Sequence, residues 1–327
     1  MLLRAGPHGE RHAEVSMVEL DAAGSVRRGL SRRTMLSFAA ALALGTVSGR
    51  EAKAERTAVS RIVALDAPSA EMLVQLGVGP AGVAGLEGYR QAAGDVPALR
   101  QAVDIGFFYE PNLELLQALA PDVFVSSFGI GAPRDLLERI APLISLPIYG
   151  VSSSSYEAAI LALTGLAEAT GREEVADAFL VTHRSLLDET RTKAQGRSVR
   201  PVYLATPLLD GRHVILYGKH SLFEEVMKRV GLRNAFVGET TPWGIASVGI
   251  DQLAQEPEAV LLYIESPVTQ TALKGLDASA IWRSLPFVRE QRLVPVPYLE
   301  MYGALPTADR FLGMVGDLLD RGALDAS

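Results

Sequence analysis

The sequence contains no cysteine among its 327 residues. This absence excludes disulfide bonds, thiolate metal sites, a cysteine nucleophile and a lipid anchor on an N-terminal cysteine. Histidines are also few, and His8, His12, His183, His213 and His220 fall in different segments without the spacing of a metal site. We therefore predict no metal held by side chains and no resident cofactor, and we expect an ordinary core or surface position for His183.

Motifs of common catalytic sites are missing as well. The chain has no G-x-S-x-G nucleophile elbow. The serine run at 152–155 is typical of a helix N-terminus, and "GLEGYR" lacks the G-x-G-x-x-G spacing of a dinucleotide site. We therefore predict that the protein is not an enzyme. A secreted α/β enzyme remains the alternative from another class, because a fold alone does not determine function.

The N-terminal segment has the layout of an export signal. The residues "SRRTML" are of twin-arginine type, and their last two residues begin an apolar run from Met35 to Val47. The A-x-A pattern "AKA" of a cleavage site follows this run. The run is shorter than the roughly 20 residues of a membrane span, which disfavours the alternative of an anchor. We predict a cleaved signal over residues 1–54, a mature chain from Glu55 and a periplasmic location, with Met1 and Met17 as alternative starts.

Removal of this segment makes the chain more acidic. It takes away eight basic and five acidic residues, which leaves 23 basic and 33 acidic residues and a net charge of −10. No basic run remains, so nucleic acid is not an expected partner. No later apolar run reaches the length of a membrane span. We expect the mature protein to be soluble and to act as a monomer.

Short apolar runs alternate with helical patterns in both halves of the chain. In the first half, "RIVAL", "VAGL", "DVFVSS" and "PIYG" predict strands, and "SAEMLVQLG", "NLELLQALA" and "APRDLLERIAPL" predict helices. We interpret the segment after "VAGL" as a polar loop. In the second half, "PVYLAT", "HVILYG" and "AVLLYIES" predict strands, and "HSLFEEVMKRVG", "IDQLAQEP" and "TADRFLGMVGDLLDR" predict helices. This alternation is typical of open parallel sheets in the α/β class.

A long helical stretch separates the two halves. Residues 153–195 have helical periodicity with almost no strand signal, and Gly171 divides them into two helices. The second helix, about 24 residues long, would extend about 36 Å. We therefore predict an N-terminal lobe over 55–171, a connecting helix over 172–196 and a C-terminal lobe over 197–327.

Three aromatic residues stand in a row in "DIGFFYEPNLELL", namely Phe107, Phe108 and Tyr109. A strand alternates its side chains between two faces and a helix spreads them around its axis, so neither buries three consecutive rings on one side. The rings are therefore either core covered from both sides or the wall of a ligand site.

The runs "RIVAL", "EPNLELL", "SLFEEV", "GET" followed by "WG", "PFVR" and "YGA" carry a family resemblance. They occur in the same order as in periplasmic ferric-hydroxamate siderophore-binding proteins, the substrate-binding subunits of iron-importing ABC transporters. The chain resembles this family over its whole mature length. The resemblance implies a class III periplasmic binding protein: two α/β lobes with central, mostly parallel sheets, joined by a single long helix. It also implies a ligand cleft between the lobes and a small lobe movement on binding.

The resemblance implies that loops at strand ends of both lobes line this cleft. The ligand-binding residues implied are Phe107, Phe108, Tyr109, Phe128, Ile130, Trp243, Glu300 and Tyr302. In well-characterised hydroxamate binders, an arginine matches Phe108 and a tyrosine matches Ile130, and both hydrogen-bond the hydroxamate oxygens. A tryptophan matches Glu300. These departures imply a different siderophore or a different pose. Tyr109 could supply a hydroxyl, and Glu300 could accept a hydrogen bond from an amine or hydroxyl, or repel a carboxylate-rich chelate.

The resemblance further implies that one glutamate of each lobe docks onto arginines of the membrane permease. The matching residues are Glu71 and Glu225, with Glu224 as the competitor of Glu225 and an ordinary solvated glutamate as the alternative. The implied function is to capture a ferric siderophore, of hydroxamate type, and to deliver it to an ABC permease in the inner membrane. Iron would enter only as the siderophore complex. Haem or a cobalamin is the alternative ligand.

Overall fold

The computed structural model of the protein describes residues 61–128, 131–150 and 154–326. The predicted export signal over 1–54 lies outside these residues, and so does Ile130. The described residues belong to one compact unit. Within them, no helix is both long and apolar enough to cross a membrane.

The N-terminal half builds a five-stranded sheet in the order β3-β2-β1-β6-β7, and every neighbouring pair is parallel. Its strands are short and mostly buried, which suits apolar runs covered on both faces. They are β1 (Ile62–Ala64), β2 (Gly82–Val83), β3 (Val103–Asp104), β6 (Val123–Ser126) and β7 (Leu143–Ser145). A separate antiparallel hairpin lies between β3 and the next helix, and its strands are β4 (Gly106–Phe107) and β5 (Glu110–Pro111).

The C-terminal half builds a second five-stranded sheet, in the order β10-β9-β8-β11-β12. The pairs β8–β11 and β11–β12 are parallel, whereas β9 pairs antiparallel with both β8 and β10. These strands are β8 (Val202–Pro207), β9 (His213–Tyr217), β10 (Ile245–Gly249), β11 (Val260–Ile264) and β12 (Leu293–Val296). The two sheets together are mostly parallel, as the family resemblance implies.

Helices cover the faces of both sheets. Those of the first half are α1 (Ala67–Gln75), α2 (Leu86–Ala93), α3 (Leu113–Leu119), α4 (Arg134–Leu137), α5 (Ser155–Thr170) and α6 (Glu173–Ala194). Those of the second half are α7 (Leu222–Val230), α8 (Pro267–Asp277), α9 (Ala280–Ser284), α10 (Pro286–Arg289) and α11 (Leu305–Asp320). Short 3-10 turns occupy Pro97–Leu99 and Ile250–Gln255.

Helix α6 is the expected long helix between the two sheets. Its 22 residues begin after Arg172, and Gly171, which ends α5, has a positive φ of 65° that favours glycine. Its buried side chains recur every three or four residues, and α5, α7 and α11 pack against it. One apolar core therefore runs through residues of both sheets and these helices. A second core lies on the other face of the C-terminal sheet, and a third lies on the other face of the N-terminal sheet. The predicted lobe boundaries therefore separate two sheets, but the first core extends across them.

A polar chain crosses this helical core. His183 of α6 is almost fully buried, and its Nε2 lies 2.5 Å from the hydroxyl of Tyr156 on α5. Its Nδ1 pairs with Asp309 of α11. The guanidinium of Arg229 on α7 lies 3.9 Å from the centre of the Tyr156 ring. His183 is thus a core histidine that is satisfied on both ring nitrogens.

Three local predictions are wrong. The last strand of the first sheet is β7 rather than "PIYG": Pro147 has no N–H for a ladder, and Ile148 and Tyr149 are buried by packing instead. The helix predicted over "APRDLLERIAPL" is only the four residues of α4, ending before Pro142. The segment interpreted as a polar loop after "VAGL" contains α2, a short helix that presents Leu86 to the core and its polar residues to solvent.

Buried Asp66 connects the first strand, helix and neighbouring strand of the N-terminal sheet. Its carboxylate caps α1 by accepting from the Ser69 N–H at 2.9 Å. It also accepts from the hydroxyl of Ser126 at 3.0 Å, and from the N–H and hydroxyl of Ser127 at 2.7 and 2.8 Å. Four donors therefore compensate a carboxylate that has almost no solvent contact. The same bonds hold the segment that leads from β6 to Phe128.

Candidate functional site

The three consecutive aromatic residues lie on the antiparallel hairpin at the end of β3. Phe107 closes β4, and Phe108 and Tyr109 form the turn before Glu110. Gly106 begins the hairpin with a φ of 88°, which favours glycine. Phe107 and Tyr109 are about half exposed, at 59% and 48%, whereas Phe108 is partly buried. The hairpin therefore presents rings at a surface instead of burying them in the sheet.

A chain of ring contacts continues from this hairpin to the C-terminal half. The Phe108 ring centre lies 5.4 Å from that of Phe128, which follows β6. Phe128 in turn meets Tyr302, before α11, edge to face at 5.4 Å. Tyr302 meets Tyr149 at 5.8 Å, and the buried Tyr149 hydroxyl donates to the Gly303 carbonyl at 2.7 Å. Edge-to-face contacts of this kind are favourable geometries for aromatic pairs.

Trp243 enters the site from a tight turn between the α7 region and β10. The N–H of Thr241 donates to the Ile245 carbonyl at 2.8 Å, which closes the turn. Gly244 has a φ of 80°, and a Cβ there would lie 2.1 Å from the Ser221 nitrogen, so only glycine fits. The Trp243 indole lies close to Gly150 of the N-terminal half. A Cβ atom placed on Gly150 would lie 4.0 Å from the indole Nε1.

These residues enclose two cavities that share three walls. The larger has a volume of about 510 Å³, within the usual range of small-molecule sites. The smaller, of about 140 Å³, lies among Phe108, Tyr109, Phe128, Trp243 and Tyr302. Phe108, Phe128 and Tyr302 line both cavities. The three consecutive rings of the hairpin are therefore not core covered from both sides. They form the wall of a cleft between the two sheets.

Glu300 projects into the larger cavity from the segment between β12 and α11. Its carboxylate accepts a hydrogen bond from the Tyr298 hydroxyl at 2.6 Å. Burial raises the pKa of Glu300 to about 7, and the carboxylates of Glu71 and Asp66 add to the rise, whereas the Tyr298 hydrogen bond opposes it. Leu299 is buried beside it and anchors the segment.

Of the predicted cleft residues, the structure brings Phe107, Phe108, Tyr109, Phe128, Trp243, Glu300 and Tyr302 to the walls of these two cavities. Ile130 lies outside the described residues. Several polar cavity residues were not predicted, namely Tyr89, Thr206, Tyr217, Ser266, Thr269 and Tyr298. Tyr298 could have been inferred, because it stands two residues before Glu300 in "YLEMYGA". Tyr89 was missed with helix α2.

Glu71, which the sequence predicted to dock onto the permease, is buried inside the fold. Glu71 is 5% exposed, and its carboxylate accepts from Thr307 at 2.6 Å and from the Tyr89 hydroxyl at 3.1 Å. It also pairs with Arg310 of α11. This carboxylate is covered and already paired inside the fold, so it is not presented to an arginine of another protein. The sequence pattern of an amphipathic helix did not show which α1 residues α11 would cover.

Glu225 keeps partial exposure, with 20% of its side chain accessible. It pairs with Arg229 at 2.6 Å and accepts from the Ser154 hydroxyl at 2.9 Å. Burial disfavours its ionised form, but these two hydrogen bonds outweigh that effect and lower its pKa. Glu224 is less exposed, at 12%, and accepts from Asn234. Of the two glutamates, Glu225 is the more accessible.

No group of three or more metal-ligating side chains is present in the described parts of the chain. The cleft itself offers carboxylate and hydroxyl oxygens among aromatic walls. A cleft of this kind can surround a bulky organic molecule and form hydrogen bonds with its polar groups.

Comparisons with known proteins agree with this architecture. A family model described as periplasmic binding protein matches residues 62–297. The chain is 32% identical to the iron(3+)-hydroxamate-binding protein FhuD of Escherichia coli over 292 residues, 89% of this chain and 97% of the relative.

Two solved structures show the same fold. The siderophore-binding protein FhuD from Vibrio cholerae, solved with Fe3+-Desferal bound, matches with a TM-score of 0.72 and 27% identity, over 80% of this chain and 98% of that chain. The triscatecholate siderophore-binding protein FeuA from Bacillus subtilis, solved with ferri-bacillibactin, matches with a TM-score of 0.64 and 20% identity, over 81% and 94%.

The burial of Glu71 leads to a stability prediction. Glu71→Ala should lower the free energy of unfolding by about 2–3 kcal/mol, because it leaves buried Thr307 and half-buried Arg310 without their acceptor. Glu225→Ala, the matched control, should cost about 1 kcal/mol or less, as partly exposed pairs do. Urea unfolding measures both. Equal midpoints for Glu71→Ala and the unmodified protein would contradict the buried pairing.

Proposed function

The chain belongs to the periplasmic binding protein family, and on that premise we propose that it captures a ferric siderophore, of hydroxamate type, for import by an ABC transporter. The aromatic cleft carries the proposal, because its larger cavity has the size and the lining of a site for a bulky organic chelate. The named relatives are binding proteins, two of them for hydroxamate complexes, and none is named as an enzyme. Iron arrives already coordinated by its chelator.

The cleft differs from that of the hydroxamate binders in what it offers the iron centre. Phe108 supplies a ring where those proteins have an arginine, and its ring packs against Phe128 instead of pointing a donor at the ligand. Hydroxyls remain available in the cleft on Tyr109 and Tyr302. We infer that aromatic contact and these hydroxyls replace the missing guanidinium, in a pose that differs from theirs.

The first test uses the fluorescence of Trp243. The chain has two tryptophans, and Trp282 is fully buried in the second core, so a cleft ligand should change the emission of Trp243. We expect saturable quenching by a hydroxamate from a panel of ferrichrome, ferrioxamine, a citrate-hydroxamate siderophore, a catecholate, haem and cobalamin. Trp243→Phe should abolish the signal.

The same titration identifies the cleft wall. Phe108→Ala should weaken the binding of that chelate about tenfold, through loss of aromatic contact. Leu209→Ala, which removes an exposed side chain outside the cleft, should leave the affinity unchanged. Quenching by haem or cobalamin alone would replace the ligand, and no binding by any member of the panel would reopen the enzyme alternative.

We propose that Glu225 contacts the permease after ligand capture. Its carboxylate lies in the first turn of α7 and is partly exposed, and charge pairs set the orientation of two proteins at such contacts. Glu225→Ala should reduce chelate uptake by cells several-fold and leave chelate affinity unchanged. Glu168→Ala, an exposed glutamate of α5, is the control for uptake. Unchanged uptake with Glu225→Ala would remove this residue from the docking surface.

We also propose that the protein reaches the periplasm by the twin-arginine route. Replacement of Arg32 and Arg33 by lysine should retain the precursor in the cytoplasm, because the export receptor reads that arginine pair. Cell fractionation followed by immunoblotting measures the distribution. A mature-sized product in the periplasm of the double variant would show that another route exports it.

A further inference from the structure

The Glu300 carboxylate faces the larger cavity without a cationic side chain among the cavity walls. The described residues that line this cavity include the carboxylates of Glu300 and Asp66, several hydroxyls and aromatic rings, but no lysine, arginine or histidine. Asp66 is occupied by its four donors from Ser69, Ser126 and Ser127. Glu300 has one side-chain partner, the hydroxyl of Tyr298 at 2.6 Å. The backbone N–H of Tyr302 also donates to it. Two donors leave acceptor capacity on the two carboxylate oxygens of Glu300.

The charged groups around Glu300 do not supply the missing positive charge. On α1 stands Glu71, whose carboxylate raises the pKa of Glu300, and Asp66 at the N-terminus of α1 acts in the same direction. Arg310 of α11 is the nearby cation, but it pairs with Glu71. An ionised Glu300 therefore adds negative charge to a partly desolvated site with a negative surrounding, which is unfavourable without a counter-charge.

The remaining titratable groups near Glu300 are neutral tyrosines. Burial raises the pKa of Tyr298 on its own segment, of Tyr89 on α2 and of Tyr217 on β9, and Glu300 adds to each rise. Burial also raises the pKa of Tyr149, before α5, and of Tyr302, with Glu300 again contributing. These hydroxyls stay protonated throughout the neutral range, so their charge does not change where Glu300 titrates.

We propose that Glu300 is the binding point for a cationic group, a primary ammonium, of the chelate held in the cleft. This proposal rests on the proposed function, because it assigns the chemistry of one part of that ligand. The Tyr89 and Tyr298 rings line the same cavity and meet edge to face with centres 6.0 Å apart. Aromatic faces beside a carboxylate suit an ammonium, which both attract. A carboxylate on the ligand would be repelled by Glu300, so chelates with free carboxylates are disfavoured.

The pH dependence follows from the sign of the Glu300 titration. Its pKa is raised to about 7, so the carboxylate is largely neutral below that pH and ionised above it. An ammonium, with a pKa near that of lysine, stays positive across the range from 5.5 to 8. Affinity for a cationic chelate should therefore rise with pH through this window. A chelate without the ammonium should show no such rise.

Ferrioxamine B and its N-acetyl derivative are the matched probes. They share one iron centre and one chain, and N-acetylation removes the single ammonium. With the unmodified protein at pH 8, we expect ferrioxamine B to bind about tenfold more tightly than the acetyl derivative, the value of a charge-assisted hydrogen bond in a partly buried site. At pH 5.5 this preference should shrink. Calorimetry at both pH values measures it without any variant.

The variant Glu300→Gln assigns the preference to the carboxylate. Glutamine keeps the shape of the side chain and an acceptor for Tyr298, but it cannot ionise. It should remove the preference for ferrioxamine B over the acetyl derivative, together with the pH dependence of that preference. Glu110→Gln, which changes an exposed residue of β5 outside the larger cavity, is the matched control and should retain the preference.

The outcomes separate this inference from the proposed function. Equal binding of the two chelates at both pH values would overturn the ammonium site and leave siderophore capture standing. A preference that survives Glu300→Gln would assign the cation to another residue and overturn the role of Glu300. Binding of neither chelate, together with no response to the wider siderophore panel, would overturn both proposals.

Discussion

The buried Glu71 carboxylate connects the beginning of the described chain to its end. It lies on α1, directly after the first strand, and accepts from Thr307 and Arg310 on α11. The negative charge of a buried carboxylate must be compensated by donors or a cation, and α11 supplies both. This requires α11, the last helix of the chain, to pack on α1. That return also positions the segment from Tyr298 to Gly303, which leads into α11 and forms one wall of the cleft.

Both halves of the chain contribute walls to the cleft. The hairpin with Phe107, Phe108 and Tyr109 belongs to the first sheet, and Tyr302 comes from the return segment before α11. Their rings meet through Phe128, and Tyr149 fixes the return segment by a buried hydrogen bond to Gly303. Because one continuous core passes under both sheets, ligand entry is expected to need little relative movement of the sheets.

Local sequence signals were sufficient where one short segment determines its own structure. Gly171 and Gly231 end their helices with positive φ angles, and Ser221 caps α7, all of which are readable from residue type. The hairpin rings could be assigned to a surface because three consecutive rings fit neither periodicity. "PIYG" misled the strand prediction, since Ile148 and Tyr149 owe their burial to packing and not to a ladder.

The α/β class, the long helix between two sheets and most of the aromatic wall could be predicted from the amino-acid sequence, because periodicity and the order of motifs are properties of the chain alone. Tertiary packing, in contrast, makes Glu71 part of an internal ion pair, because its partners on α11 lie more than 230 residues away along the chain. It also decided the environment of Glu300. Desolvation and the nearness of Glu71 and Asp66 arise from packing, and neither can be seen in "YLEMYGA".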